Sequence, residues 1–136
     1  MTCPYCSRSQ DEHNFHFAAI NAAFHHWPEW HPFQPLSVEH LRGWLYVEAG
    51  YVNAIDIDDI DAMTIKGIRA ARAVLAPGTY LRQMQTPTGL RLLAPRSISR
   101  READRKSSRE VQDQVSAIIA DVIGLTAEQL VKEKAA

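Results

Sequence analysis

Three prolines fall within nine residues, Trp27-Pro28-Glu29-Trp30-His31-Pro32-Phe33-Gln34-Pro35. Proline lacks an amide hydrogen, fixes its own φ, and turns the residue before it away from helix. No regular element can run through this stretch, so the segments on either side are separate elements joined by a rigid connection. Before it, Phe17, Ile20, Phe24 and Trp27 recur at helical spacing with small alanines between them, behind a capping box at Ser9-Gln10-Asp11-Glu12. This predicts a helix from about Gln10 to His26. After it, Ser37 is placed to cap a second helix whose apolar face is Val38, Leu41, Trp44, Leu45 and Val47, with Gly50 as its stop. Trp27, Trp44, Phe24 and Leu41 are expected to meet in one core joining the two helices.

The rest of the chain changes period. Tyr51 to Asp61 alternates weakly, which suits a short strand or an extended linker. Asp61 to Ala76 has helical spacing, with acid at its start and base near its end, as the helix dipole favours. Asp58 or Asp59 is the expected N-cap there. Thr79 to Pro95 reads as a β-hairpin turned at Thr86-Pro87-Thr88-Gly89. Val111, Val115, Ile118, Ile119, Val122 and Ile123 mark another amphipathic helix, and Thr126 is placed to cap a last short one. The expected class is α+β, a mostly helical single domain with one small antiparallel hairpin. Residues 1–8 form a tail or metal knuckle, 9–125 the globular domain, and 126–136 a short helix or frayed tail.

At 46% hydrophobic and 23% charged, the 136 residues suit a folded domain and not a disordered chain. No apolar run approaches the roughly 20 residues needed to cross a bilayer. The N-terminus lacks the basic-then-apolar order of a secretion signal, and two cysteines make no disulfide framework, so the cytoplasm is the expected compartment. The net charge of −1 hides an asymmetry. From Arg91 to Arg109 seven bases stand against two acids, +5 in all, leaving −6 for the remainder. Such a split suggests a charged partner met by one face.

Cys3-Pro4-Tyr5-Cys6 matches a redox motif in letters, but only two residues precede it. The buried strand that a thioredoxin-like site needs has no room there. As a zinc knuckle, Cys3 and Cys6 could join His13 and His16, which lie three apart on one helix face, to complete a tetrahedral Cys2His2 shell. The competing reading is a solvated tail. His25, His26 and His31, with Trp27 and Trp30, lack an acidic orienting partner and are expected to pack at the core edge. Asp56 to Asp61 lacks the glycine and glutamate of a calcium loop. The stretch with most functional character is basic: Arg96, Arg100, Arg101, Arg105 and Lys106, beside a hairpin bearing Arg82 and Arg91. Ser97 and Ser99 stand near an expected helix start, the arrangement that holds phosphates, and Tyr80 could offer a ring to a base. The alternative is a solvated charged loop. No nucleophile elbow, P-loop, dinucleotide fingerprint or zinc-protease motif is present, so nothing argues for an enzyme.

Two stretches carry a resemblance. Arg8 to Tyr51 is similar to uncharacterised phage and prophage proteins of the recombination region, which share an "RS…FH…INAAF…WPE…FQP…EHLR.WL…AGY" pattern. Leu93 to Ser99, "LAPRSIS", resembles their "PKSI" segment before a C-terminal helix. More distantly, the opening is similar to the NinB (Orf) recombination mediators, whose first helix begins R-S-L-x-Q-N. Arg8, Ser9 and Asp11 fit that motif, whereas Gln10, Glu12 and His13 stand where leucine, glutamine and asparagine are usual. The resemblance implies single-stranded DNA binding by a dimer. Residues and resemblance together lead to the expectation of a phage accessory protein that binds nucleic acid in the bacterial cytoplasm. One alternative is a protein-binding inhibitor or adaptor whose Asp56–Asp61 surface mimics DNA charge. Another is a metal-dependent nuclease.

Overall fold

The structure, a computed structural model, describes residues 10–75, 78–96 and 105–135. In chain order these form α1 (Gln10–His25), α2 (Val38–Glu48), β1 (Val52–Asp58), α3 (Ala62–Leu75), β2 (Arg82–Gln85), β3 (Gly89–Pro95), α4 (Arg105–Ile123) and α5 (Ala127–Ala135). The fold is α+β, with five helices and one three-stranded antiparallel sheet among the described residues. No helix among them is long and apolar enough to cross a membrane.

The helical layer is built around α1 and α2. Ile20, Leu41, Leu45, Val115, Ile119 and Leu130 are fully buried and belong to one cluster, so α1, α2, α4 and α5 share a core. Ser37 caps α2 as expected, its hydroxyl accepting the His40 amide at 3.1 Å. Thr126 and Gln129 close a reciprocal capping box at the start of α5: Thr126 N–H donates to Gln129 Oε1 (2.8 Å), and Gln129 N–H to Thr126 Oγ1 (3.2 Å). With its N-terminal end so capped and Leu130 buried, the nine-residue α5 is tied to the core rather than left as a tail.

The proline-rich connection is held from within. Trp27 Nε1 donates to the Phe33 carbonyl (2.8 Å), and the Gln34 amide donates to the carbonyls of Pro28, Glu29 and His31. Trp27, His31 and Phe33 then surround Trp44 of α2, Phe33 stacking on it at 5.2 Å with 7° between the planes. The expected junction of α1 and α2 through Phe24, Trp27, Leu41 and Trp44 is present, with Leu41 and Trp44 buried and the other two half-buried against them. His31 is part of this packing, whereas His25, His26 and Trp30 face solvent.

In the sheet, β3 is central and β1 and β2 are its edges. The hairpin expected at Thr86–Gly89 joins β2 to β3, with Thr86 N–H donating to the Gly89 carbonyl at 3.0 Å. Residues 51–61, readable as strand or linker, supply a third strand, in register from Val52 opposite Pro95 to Asp58 opposite Gly89. Gly89 is required there: a Cβ would stand 2.0 Å from the Ile57 carbonyl oxygen. Gly43 serves the other junction. A Cβ on it would meet Tyr80 Cβ at 2.7 Å, so only glycine lets α2 lie this close to the hairpin stem.

The N-cap of α3 is Asp61, not Asp58 or Asp59. Asp58 is the last residue of β1 and accepts the Thr88 hydroxyl at 2.7 Å, while Asp59 takes a left-handed turn conformation (φ 59°). Asp61 Oδ1 accepts the Thr64 amide at 2.7 Å. That bond holds its carboxyl below the usual range. A carboxyl whose pKa falls on folding stabilises above the ordinary carboxylate range, and the contribution is lost as pH drops through its folded value. Acidification is therefore expected to fray the first turn of α3 before the core opens, and Asp61→Ala to fray it at neutral pH. Amide exchange at Thr64 and Ile65 reads this directly; protection that ignores both changes would contradict the cap.

Candidate nucleic-acid interface

The three bases of the expected site that the structure describes do different things. Arg82 and Arg91 project from the same face of the sheet, since Arg82 lies opposite Leu93 and Arg91 opposite Met84. Arg82 donates Nε–H to the Tyr80 hydroxyl (2.8 Å) and pairs through Nη2 with Glu48 of α2. Its partial burial disfavours the charge, but the Tyr80 and Glu48 bonds outweigh this and hold its pKa above the usual value. Arg91 grips Asp56 across the strands with two bonds, Nε to Oδ1 at 2.7 Å and Nη2 to Oδ2 at 3.1 Å. The bond lowers the Asp56 carboxyl and raises the guanidinium. Both partners are about half exposed, so the pair contributes little stability. Its effect is to neutralise both charges locally: Arg91 attracts an anion less, and the aspartate run loses one of its carboxylates.

Arg96 is set differently. Its amide donates to the Tyr51 carbonyl (3.0 Å), and its guanidinium lies over the Tyr51 ring, 4.9 Å from the centroid. Tyr51 is buried and meets Tyr46 edge-on at 6.1 Å. Arg96 lines two clefts, one with Arg42, Tyr46 and Pro95, the other with Gly50, Glu110 and Gln114. Arg100 and Arg101 lie outside the described residues. Arg105 and Lys106 begin α4, but their side chains lie outside them too. Tyr80, expected as an open ring for a base, is half-buried and packs edge-on against Phe33 at 5.6 Å.

Of the metal set, Cys3, Cys6 and the His13 side chain lie outside the described residues. His16 is buried, and its Nε2 meets the Tyr46 hydroxyl at 3.0 Å. No group of three or more histidine, cysteine, aspartate or glutamate side chains among the described residues is placed to hold a metal.

Sequence reasoning passed over Arg42. It stands on α2 between the buried Leu41 and Gly43, and its guanidinium lies 5.6 Å from the Phe17 ring centroid on α1. Only the packing of α1 on α2 brings ring and base together.

Neither protein-family models, nor curated proteins, nor solved structures give a match to this chain.

Proposed function

We propose that this chain binds nucleic acid, single-stranded DNA above all, as a phage accessory protein of recombination or replication. The observation that carries the reading is Arg96. It opens the basic run, is held in place by the Tyr51 ring and carbonyl, and lines a cleft with a second arginine. Stacking on the ring fixes the plane of the guanidinium at the wall of the cleft. Arg100, Arg101, Arg105 and Lys106 follow within ten residues and would extend the phosphate track toward α4. Arg82 and Arg91 belong at its margin, because each already has a carboxylate partner. The resemblance to the NinB mediators points the same way and would make the binding unit a dimer.

Gel-shift titrations with single- and double-stranded DNA of one length, at two salt concentrations, test this. Tighter binding to the single strand is expected, with affinity falling steeply as salt rises, because phosphate contacts release counterions. A chain that binds neither DNA at low salt would contradict the proposal.

A second reading, a protein-binding adaptor or inhibitor, is favoured by α3. Met63 and Val74 are 77% and 79% exposed. With Gly67 and Ala70, also exposed, they follow the i, i+4, i+7, i+11 spacing of one helix face, opposite the buried Ile65. If DNA binding fails, this face becomes the first place to seek a partner.

A further inference from the structure

Between α1, α4 and α5 lies a cleft that the nucleic-acid reading does not use. We infer that it binds a small neutral molecule with an apolar body and a carbonyl group, and that Gln112 holds the carbonyl. The inference goes beyond DNA binding and does not depend on it.

The cleft has a volume of about 700 Å³, within the roughly 300–1,000 Å³ usual for small-molecule sites. Its walls are apolar: Phe15 of α1, Ala117 and Ala120 of α4, and Ala127 of α5. Alanines on two of the three helices leave space that larger side chains would fill. Gln112 lines the same cleft. It precedes Val115 by three residues and Ile119 by seven, so it stands on the buried face of α4, where the helical pattern calls for an apolar residue. The residue is 3% exposed, and its Nε2 has no hydrogen-bond partner among the described residues. A buried amide without a partner destabilises the fold, so a leucine of similar size would serve the core better. What leucine lacks is a donor for a ligand. The last torsion of a glutamine is broad, so the amide can turn its N–H groups to a carbonyl entering the cleft. His16 forms part of the wall, but its Nε2 already meets the Tyr46 hydroxyl at 3.0 Å. No lysine or arginine lines the cleft, whereas the Glu128 carboxylate does. An anion is therefore disfavoured, and a neutral carbonyl is the acceptor that fits.

Benzamide serves as the probe, and benzoate, of nearly the same shape but negatively charged, as its control. Binding is followed by NMR titration of the full chain, reading the signals of Phe15, Ala120 and Ala127. Benzamide is expected to shift these signals with millimolar or tighter affinity. Benzoate should bind about threefold more weakly beside Glu128. Gln112→Leu should bind benzamide about tenfold more weakly. Its thermal midpoint should nevertheless rise by about 3 °C, because an unsatisfied buried amide has gone. These opposite changes separate a ligand donor from a residue that merely supports the fold. Ala120→Phe, folded by its melt, fills the cleft and should abolish binding; Gln112→Leu carries the test if that variant does not fold. The inference is overturned if benzamide leaves the wild-type signals unmoved or if benzoate binds as tightly. Benzamide binding unchanged in Gln112→Leu or in folded Ala120→Phe overturns it as well. So does a midpoint that falls in Gln112→Leu, since the amide would then be satisfied within the protein. None of these results bears on DNA binding, which the gel shifts test separately.

Discussion

Replacing Trp44 with alanine is expected to cost about 3–5 kcal/mol, the usual range for truncating a buried large aromatic. The side chain is 9% exposed and stands where three elements meet. Trp27 from the end of α1 meets it at 5.5 Å, and His31 and Phe33 of the proline-rich connection each approach to 5.2 Å. The neighbours cannot collapse into the space, because Trp27 is hydrogen-bonded to Phe33 and the loop between them is fixed by Gln34. A rigid wall leaves a cavity, and the cavity adds to the lost transfer energy. Domains of this size have roughly 5–15 kcal/mol in total, so the loss is a large share. Thermal unfolding followed by circular dichroism should show a midpoint lower by on the order of 10–20 °C. A drop of no more than about 3 °C would contradict the role given to this junction.

The helices were readable because their signals are local. Ser37 and Thr126 are capping residues in sequence and cap in the structure. The apolar spacing of Val111, Val115 and Ile119 is the buried face of α4. β1 was ambiguous for a physical reason. It is an edge strand with Asn53, Ala54, Ile55 and Asp56 all exposed, so the alternation that burial imposes is weak. Its identity comes from pairing with β3, which lies more than thirty residues away. The α3 cap was misread because the aspartates between Asp56 and Asp61 compete for the role on local grounds. Arg91 and Thr88 occupy two of them from another strand, and that is decided only in the folded chain. The same holds for the site. Arg82 and Arg91 were legible as bases, but their carboxylates, Glu48 and Asp56, lie 34 and 35 residues off. Arg42 gave no signal at all, because a lone arginine on a helix is ordinarily a solvated residue. What singles it out is the Phe17 ring and the Arg96 side of the cleft, both supplied by tertiary packing.

The double replacement of Arg100 and Arg101 by alanine is expected to have the largest effect on function. Arg100 and Arg101, the next two bases in the chain after Arg96, contribute sequence-independent attraction to phosphate, so binding to every single-stranded sequence should weaken alike. Each lost contact removes about 0.7 from the salt slope for single strands, and two remove about 1.4. At ~0.1 M salt that corresponds to a loss of about 25-fold in affinity. Arg91→Ala in the same assay should do far less, since Asp56 already neutralises it and is set free when the arginine goes. The deciding measurement is the affinity of wild-type and double-variant protein for one single-stranded oligonucleotide across a salt series, with thermal melts to confirm that both are folded. A wild-type slope that flattens by about 1.4 in the variant is the predicted result. Identical slopes and affinities in two folded proteins would contradict the nucleic-acid reading at its centre and turn attention to the exposed face of α3.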